Sequence, residues 1–247
     1  MIGRNRFKTS VDEDNPYWMS FSDIMSGLLI IFILASIVLI IQLLERQQQF
    51  DQRIDEISKA ERVRAEILEE AKQELLDAGI RVEINEERTL LRIPNHLLGF
   101  DTAQYEIQSQ YEPIAETIGR VLYQVITREN RIEYLDTVFI EGHTDNRPYI
   151  GLGGTGNWGL STFRAISLWQ YWEDNLSIEF KLSNLFNREG NALFSVSGYG
   201  EMRPATEKQD SEEELRTNRR IDIRFTIRRP TSNEIERIRQ ELEQGIL

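Results

Sequence analysis

Between Ile24 and Leu44 the chain carries no charged side chain, and most positions are Ile, Leu, Val, Phe, Met or Ala. Coiled as a helix, these 21 residues would rise about 31 Å, close to the hydrocarbon thickness of a bilayer. Tyr17 and Trp18 stand just ahead, where an interfacial aromatic belt would lie. The run is too long for the core of a signal peptide, and the polar stretch after Leu44 has no small-residue cleavage site. The sequence therefore predicts one uncleaved transmembrane helix over 18–44. Lys and Arg counts favour a cytoplasmic N-terminal segment (1–17) through Arg4, Arg6 and Lys8, although Arg46 and Arg53 lie close to the other end. In that orientation the large C-terminal part crosses to the periplasm.

Asp23 is the acid at the N-terminal edge of this run. About five residues past Trp18, it is expected to lie below the headgroups, where an ionised carboxylate costs a few kcal/mol even on mild insertion scales. Two readings stay open. Ser20, Ser22 and Asp23 are all good N-caps, so Asp23 could simply start the helix. Alternatively, it is a protonatable group facing a partner's polar cavity, with Ser22, Ser26 and Gly27 keeping that helix face slim.

The rest of the chain is polar. A net charge of −12 over 247 residues argues against broad nucleic-acid binding. The absence of cysteine excludes disulfides, thiolate metal sites and cysteine nucleophiles. With two histidines, His96 and His143, and no clustered ligand spacing, no metal is expected. Residues 45–79 are rich in Glu, Gln, Arg and Lys, with apolar side chains at Phe50, Ile54, Ile57, Leu68, Ala71 and Leu75. This predicts a helical linker, either a solvated spacer or a plug against ion leakage.

Beyond Gly79, Arg81 to Ile93 reads as a strand pair ended by Pro94. Helices are expected over 109–128 and 160–172, the second with Phe163, Ile166 and Trp169 facing the core. Strands are expected over 137–141, 192–197 and 221–227, and a further short helix in the tail, 230–247. Helices alternating with strands predict an α/β (α+β) domain, a mixed sheet covered by helices on one face. Residues 151–156, Gly-Leu-Gly-Gly-Thr-Gly, spell a dinucleotide fingerprint, but the strand feeding it should end near Gly142, so a flexible loop is the better reading. Glu141 and Asp145 need not converge as an acid/base pair for glycan hydrolysis, and no catalytic residue is assigned: the chain is not expected to be an enzyme.

The stretch Trp18-Met-Ser-Phe-Ser-Asp23-Ile-Met25-Ser26-Gly27-Leu-Leu-Ile-Ile-Phe32 resembles the pore helix of MotB-type stator proteins. By that resemblance Asp23 binds the translocating ion, a proton or possibly Na⁺. Ser26 replaces a threonine usual in the family and keeps its hydroxyl. The resemblance also implies a homodimer inside a ring of multi-span MotA- or ZorA-like partner subunits, with no other cofactor. Three further segments, Ile140-Glu-Gly142-His143-Thr144-Asp145, Asn157-Trp158-Gly-Leu160-Ser161-Thr-Phe-Arg164-Ala165 and Asn218-Arg219-Arg220-Ile221-Asp-Ile223, are followed in the same order as in OmpA-like peptidoglycan-binding domains, with Ser197-Gly198-Tyr199-Gly200-Glu201 before the last. This likeness covers about 80–229. It implies that Asp145 holds the amine of a peptidoglycan stem peptide and Arg164 grips its carboxylate, a match for a planar guanidinium fork. Thr144, Asn157, Leu160, Asn218 and Arg219 would line the pocket. Left to themselves, Asn157 could cap a helix, Leu160 could be core, and Arg220 could pair with an acidic neighbour. Flagellar MotB and the B subunit of Zorya anti-phage systems share both parts. The Ser-Asp-Ile-Met-Ser string and the acidic start lean towards the Zorya type, an inner-membrane, wall-anchored motor subunit in anti-phage defence.

Overall fold

The computed structural model describes residues 16–229, without the side chains of 16–20 and Leu152. Most of the expected cytoplasmic segment and the expected tail helix, 230–247, lie outside these residues. The chain divides into two compact units, Met1–Gln52 and Arg53–Leu247.

The first unit holds the apolar part of α1 (Pro16–Asp77). Among the described residues α1 is the one helix long and apolar enough to cross a membrane. Its large side chains are exposed on all sides, Phe32 at 70 % and Leu43 at 66 %. A helix that is apolar all round needs an apolar surrounding, which lipid supplies.

The second unit is built on a five-stranded sheet of order β1-β2-β5-β3-β4. Here β1 is Glu83–Ile84, β2 Leu90–Pro94, β3 Leu135–His143, β4 Phe194–Gly198 and β5 Arg220–Ile227. β3 and β4 run parallel, joined through helix α3 (Gly156–Asn175); the other pairs are antiparallel. The mixed sheet expected from the sequence is thus present. Period-two alternation gives each strand an apolar and a polar side. Leu91, Ile93, Val138, Ile140, Ile221, Ile223 and Phe225 join one buried core with α2 (Glu112–Thr127) and α3. The opposite side carries charge. Asp222 accepts from Arg220 at 3.0 Å and from Arg92 at 3.3 Å, and Arg224 donates to Glu141 at 2.8 Å.

Three expectations change. The linker is not wholly a spacer: the compact unit begins at Arg53, and Ala60, Ile67, Leu68, Ala71 and Leu75 are buried. Those residues repeat at helical spacing and form a stripe too apolar to remain solvated, so it becomes core. Phe50 and Ile54, nearer the membrane, stay exposed. On α3 the buried set is Leu160, Ala165, Leu168 and Trp172, and Trp169 packs half-buried against the core as expected, whereas Phe163 is 40 % exposed and Ile166 is half-buried. The cause is Arg164, a charged residue that takes a core-facing slot and turns the buried stripe around the helix. Finally, α4 (Glu212–Asn218) was not foreseen, although Ser211 and Glu214 cap each other reciprocally at its start.

Candidate functional site

In the C-terminal unit the site begins with two glycines. Gly142 on β3 faces Gly198 on β4 in register. A Cβ at Gly142 would lie 1.9 Å from the carbonyl oxygen of Ser161, and one at Gly198 would lie 2.4 Å from the backbone nitrogen of Thr162. Only bare backbone lets α3 lie this close to the strand ends. The close approach brings Asn157, Leu160 and Arg164 of α3 to the loop that follows β3, where Thr144 and Asp145 sit. Arg219, between α4 and β5, completes the group.

Thr144, Asp145, Asn157, Leu160, Arg164 and Arg219 line one cavity of about 30 Å³, together with Thr102, Ala103, Arg147, Pro148 and Tyr149. Asn218 does not: its side chain accepts from the backbone N–H groups of Ala205 and Thr206 and donates to the Thr206 carbonyl, pinning that loop from within. Asn157 is no helix cap. Its amide donates to the carbonyls of Arg147 (3.0 Å) and Asp145 (3.4 Å) and so clamps the loop that carries the acid. Leu160 is both core and cavity wall. Arg220 pairs with Asp222 on the covered polar side of the sheet, as its alternative reading had it. Glu141 is held there by Arg224 and Tyr199 and does not line the cavity.

Arg164 is 1 % exposed and, among the described residues, hydrogen-bonds to no carboxylate. Its N–H groups donate to three carbonyls, those of Gln104 (2.9 Å), Asp101 (3.0 Å) and His143 (3.4 Å), and its guanidinium lies 5.3 Å from the Phe100 ring centroid. Burial, reinforced by nearby Arg219, brings its pKa down to about 10, so it stays charged at neutral pH. Among the described residues three of its five N–H donors are engaged. Asp145 is equally enclosed, 5 % exposed. Burial alone would raise its pKa. Hydrogen bonds from Arg147, Arg219 and the backbone N–H of Arg147 outweigh that and hold it below the usual carboxylate range. A fixed cation and a fixed anion thus face one cavity. Among the described residues Thr144 Oγ1, Asn157 Oδ1 and Arg219 Nε are buried without a hydrogen-bond partner, and such groups cost about 1–3 kcal/mol each unless a ligand or water meets them.

Two charged groups of the site were not singled out from the sequence. Arg147 donates to Asp145 Oδ2 through Nε (3.1 Å) and Nη2 (2.7 Å), and Glu212 receives Arg219 at 2.8 Å. Arg147 stands only two residues from Asp145, which was the available signal; Glu212 belongs to the unforeseen α4.

In the N-terminal unit, α1 begins at Pro16, which makes Asp23 its eighth residue, well past the first turn. The helix-cap reading of Asp23 therefore falls. Ser26 Oγ donates to the Ser22 carbonyl at 2.8 Å, satisfying the hydroxyl inside the helix, and a Cβ at Gly27 would meet nothing within 4 Å. Asp23 is exposed between Phe21, Ile24 and Met25, which are 56 %, 62 % and 51 % exposed.

No protein-family model matches the chain. Motility protein B of Bacillus subtilis is 26 % identical over 163 residues, 66 % of this chain and 54 % of that protein, so the chain spans about half the length of that relative. Zorya protein ZorB of Escherichia coli is 24 % identical over 238 residues, 93 % of this chain and 95 % of its own length. Among solved structures, a putative MotB-like protein from Desulfovibrio vulgaris superposes with a TM-score of 0.50 at 18 % identity, covering 72 % of this chain and 99 % of that one.

Proposed function

We propose that this chain, a MotB-type protein with an OmpA-like C-terminal domain, is the wall-anchored subunit of a proton-driven motor in a bacterial inner membrane. α1 crosses the bilayer once with its N-terminus in the cytoplasm, and the domain from Arg53 onward stands in the periplasm. Asp23, with Ser26 a turn away, carries the ion (H⁺, with Na⁺ the alternative) against a ring of multi-span MotA- or ZorA-like subunits. Two copies of the chain provide the two pore helices. The near end-to-end match to Zorya protein ZorB favours a role in anti-phage defence over flagellar rotation.

The observation that carries the reading is the enclosed Asp145 and Arg164 on one cavity. A peptidoglycan stem peptide presents an ammonium and a carboxylate on one short diamino acid. Asp145 is a fixed anion for the first. Arg164 is a planar fork for the second, hydrogen-bonded to carbonyls and acted on by Asp145 through space, and so still attractive to an anion. Neither charge is on the surface, where water and salt would screen it. Nothing in this assignment calls for catalysis; the site grips.

The test is sedimentation of the full chain, in detergent, with purified sacculi. Asp145→Asn and Arg164→Lys should each weaken binding by about tenfold or more, since each removes a buried charge-assisted contact. If both variants sediment with sacculi as well as the unaltered chain, the pocket is not the grip.

A further inference from the structure

Resting on the peptidoglycan reading, we infer that Arg147 is an internal occupant of the ammonium subsite, a gate that the wall's own amine must displace before the chain can grip. Arg147 meets both oxygens of Asp145: its side chain reaches Oδ2 through Nε and Nη2, and its backbone N–H donates to Oδ1 at 3.1 Å. The carboxylate that should receive an ammonium is therefore already engaged by a cation from the same loop.

Two cations sit on Asp145, and their burial separates them. Arg219, which donates to Oδ2 at 2.6 Å, is 4 % exposed and is anchored at its other end by Glu212. The Arg147 side chain is 37 % exposed. It lies on the loop between β3 and α3, at the mouth of the cavity. It also has somewhere to go. Its Nη1 is already 3.3 Å from Glu212 Oε2, on a carboxylate that is itself half-exposed, and its Nη2 is 3.2 Å from Thr102 Oγ1. A small swing leaves Arg147 paired with Glu212 and frees one flank of Asp145, so the buried carboxylate passes from one cation to another without standing unpaired. The space agrees. With Arg147 in place the cavity is about 30 Å³, two to three times the roughly 10–15 Å³ that one water needs and a small fraction of the roughly 300–1,000 Å³ of an ordinary ligand pocket.

A self-occupied site lowers apparent affinity by the fraction of time it is closed. Removing the occupant should therefore strengthen binding, the reverse of what losing an ordinary contact residue does. In sacculus titrations of the full chain in detergent, Arg147→Ala is expected to bind about threefold to tenfold more tightly than the unaltered chain. Arg147→Gln, which keeps much of the bulk but no charge, should move the same way and serves if the alanine variant melts early. Arg216→Ala removes the same charge from the Glu212 neighbourhood without touching Asp145, and it should stay within about twofold. If Arg147→Ala and Arg147→Gln bind no better than the unaltered chain while Asp145→Asn loses binding, the gate is wrong and the wall-binding pocket stands. If Arg216→Ala gains as much as Arg147→Ala, general charge explains the effect and the gate is equally overturned. If Asp145→Asn binds as well as the unaltered chain, the pocket itself fails and takes the gate with it.

Discussion

His143 illustrates how the same motif serves two sides of the sheet. Its carbonyl feeds Arg164 in the pocket, while its ring is turned to the covered polar side, stacked on Tyr199 at 5.5 Å and 3.3 Å from Asp222. Burial, with the positive charge of Arg220 beside it, pushes the His143 pKa down to about 3. The imidazole is thus neutral in the fold, whereas the unfolded chain takes up that proton near pH 6.5. Between these values the unfolded state binds more protons, so stability is full above about pH 6.5 and falls as pH drops, by up to about 1.4 kcal/mol per pH unit. Asp145 and Glu70 are also held low, Glu70 chiefly by its hydrogen bond from Arg131. Their contribution is full above about pH 4 and is lost as pH falls through their folded values. Melting of the C-terminal unit should therefore decline in two stages on acidification. His143→Phe, which keeps a ring against Tyr199, should remove the first stage; an unchanged slope between pH 6.5 and 4.5 would contradict the assignment. At this scale Asp145 and Arg164 were named from the resemblance of their motifs, and the structure brings the two onto one cavity. Arg147 was not named, because a charged residue in a loop looks the same whether it faces water or a buried carboxylate.

Among the elements, most strands and helices follow from alternation and helical spacing, and the mixed sheet was legible from their order. The failures have physical causes. The core-facing stripe of α3 was misplaced at Phe163 and Ile166, though not at Trp169, because it contains Arg164, which no apolar pattern would put inside; three carbonyls from two other segments make that burial possible. α4 escaped because it is seven residues long and carries little apolar signal, leaving only its capping box to mark it. The close packing of α3 on β3 and β4 at Gly142 and Gly198 could be located in the motifs but not interpreted without the fold. The end of α1 shows the reverse case: the stripe was visible, and only its destination was misread. Leu68→Ala should cost the C-terminal unit about 2–5 kcal/mol, as for a filled core position, whereas Phe50→Ala, at a side chain 63 % exposed, should leave its denaturant midpoint unmoved. Equal and negligible effects of the two would return residues 60–75 to the role of a solvated spacer.

For the molecule as a whole, the chain joins an apolar helix bearing one acid to a domain whose enclosed charges suit a zwitterionic wall fragment. A passive tether needs the second part and gains nothing from the first part's carboxyl, which is expensive at membrane depth. Our account gives that carboxyl the task of taking up and releasing protons while the far domain is held still by the wall. The decisive measurement is proton flux in proteoliposomes containing the chain assembled with its multi-span partner, under an imposed pH gradient, for the unaltered chain and for Asp23→Asn. The account predicts flux with Asp23 and none with the amide, at equal co-purification of the partner. Undiminished flux through the Asp23→Asn complex would contradict it.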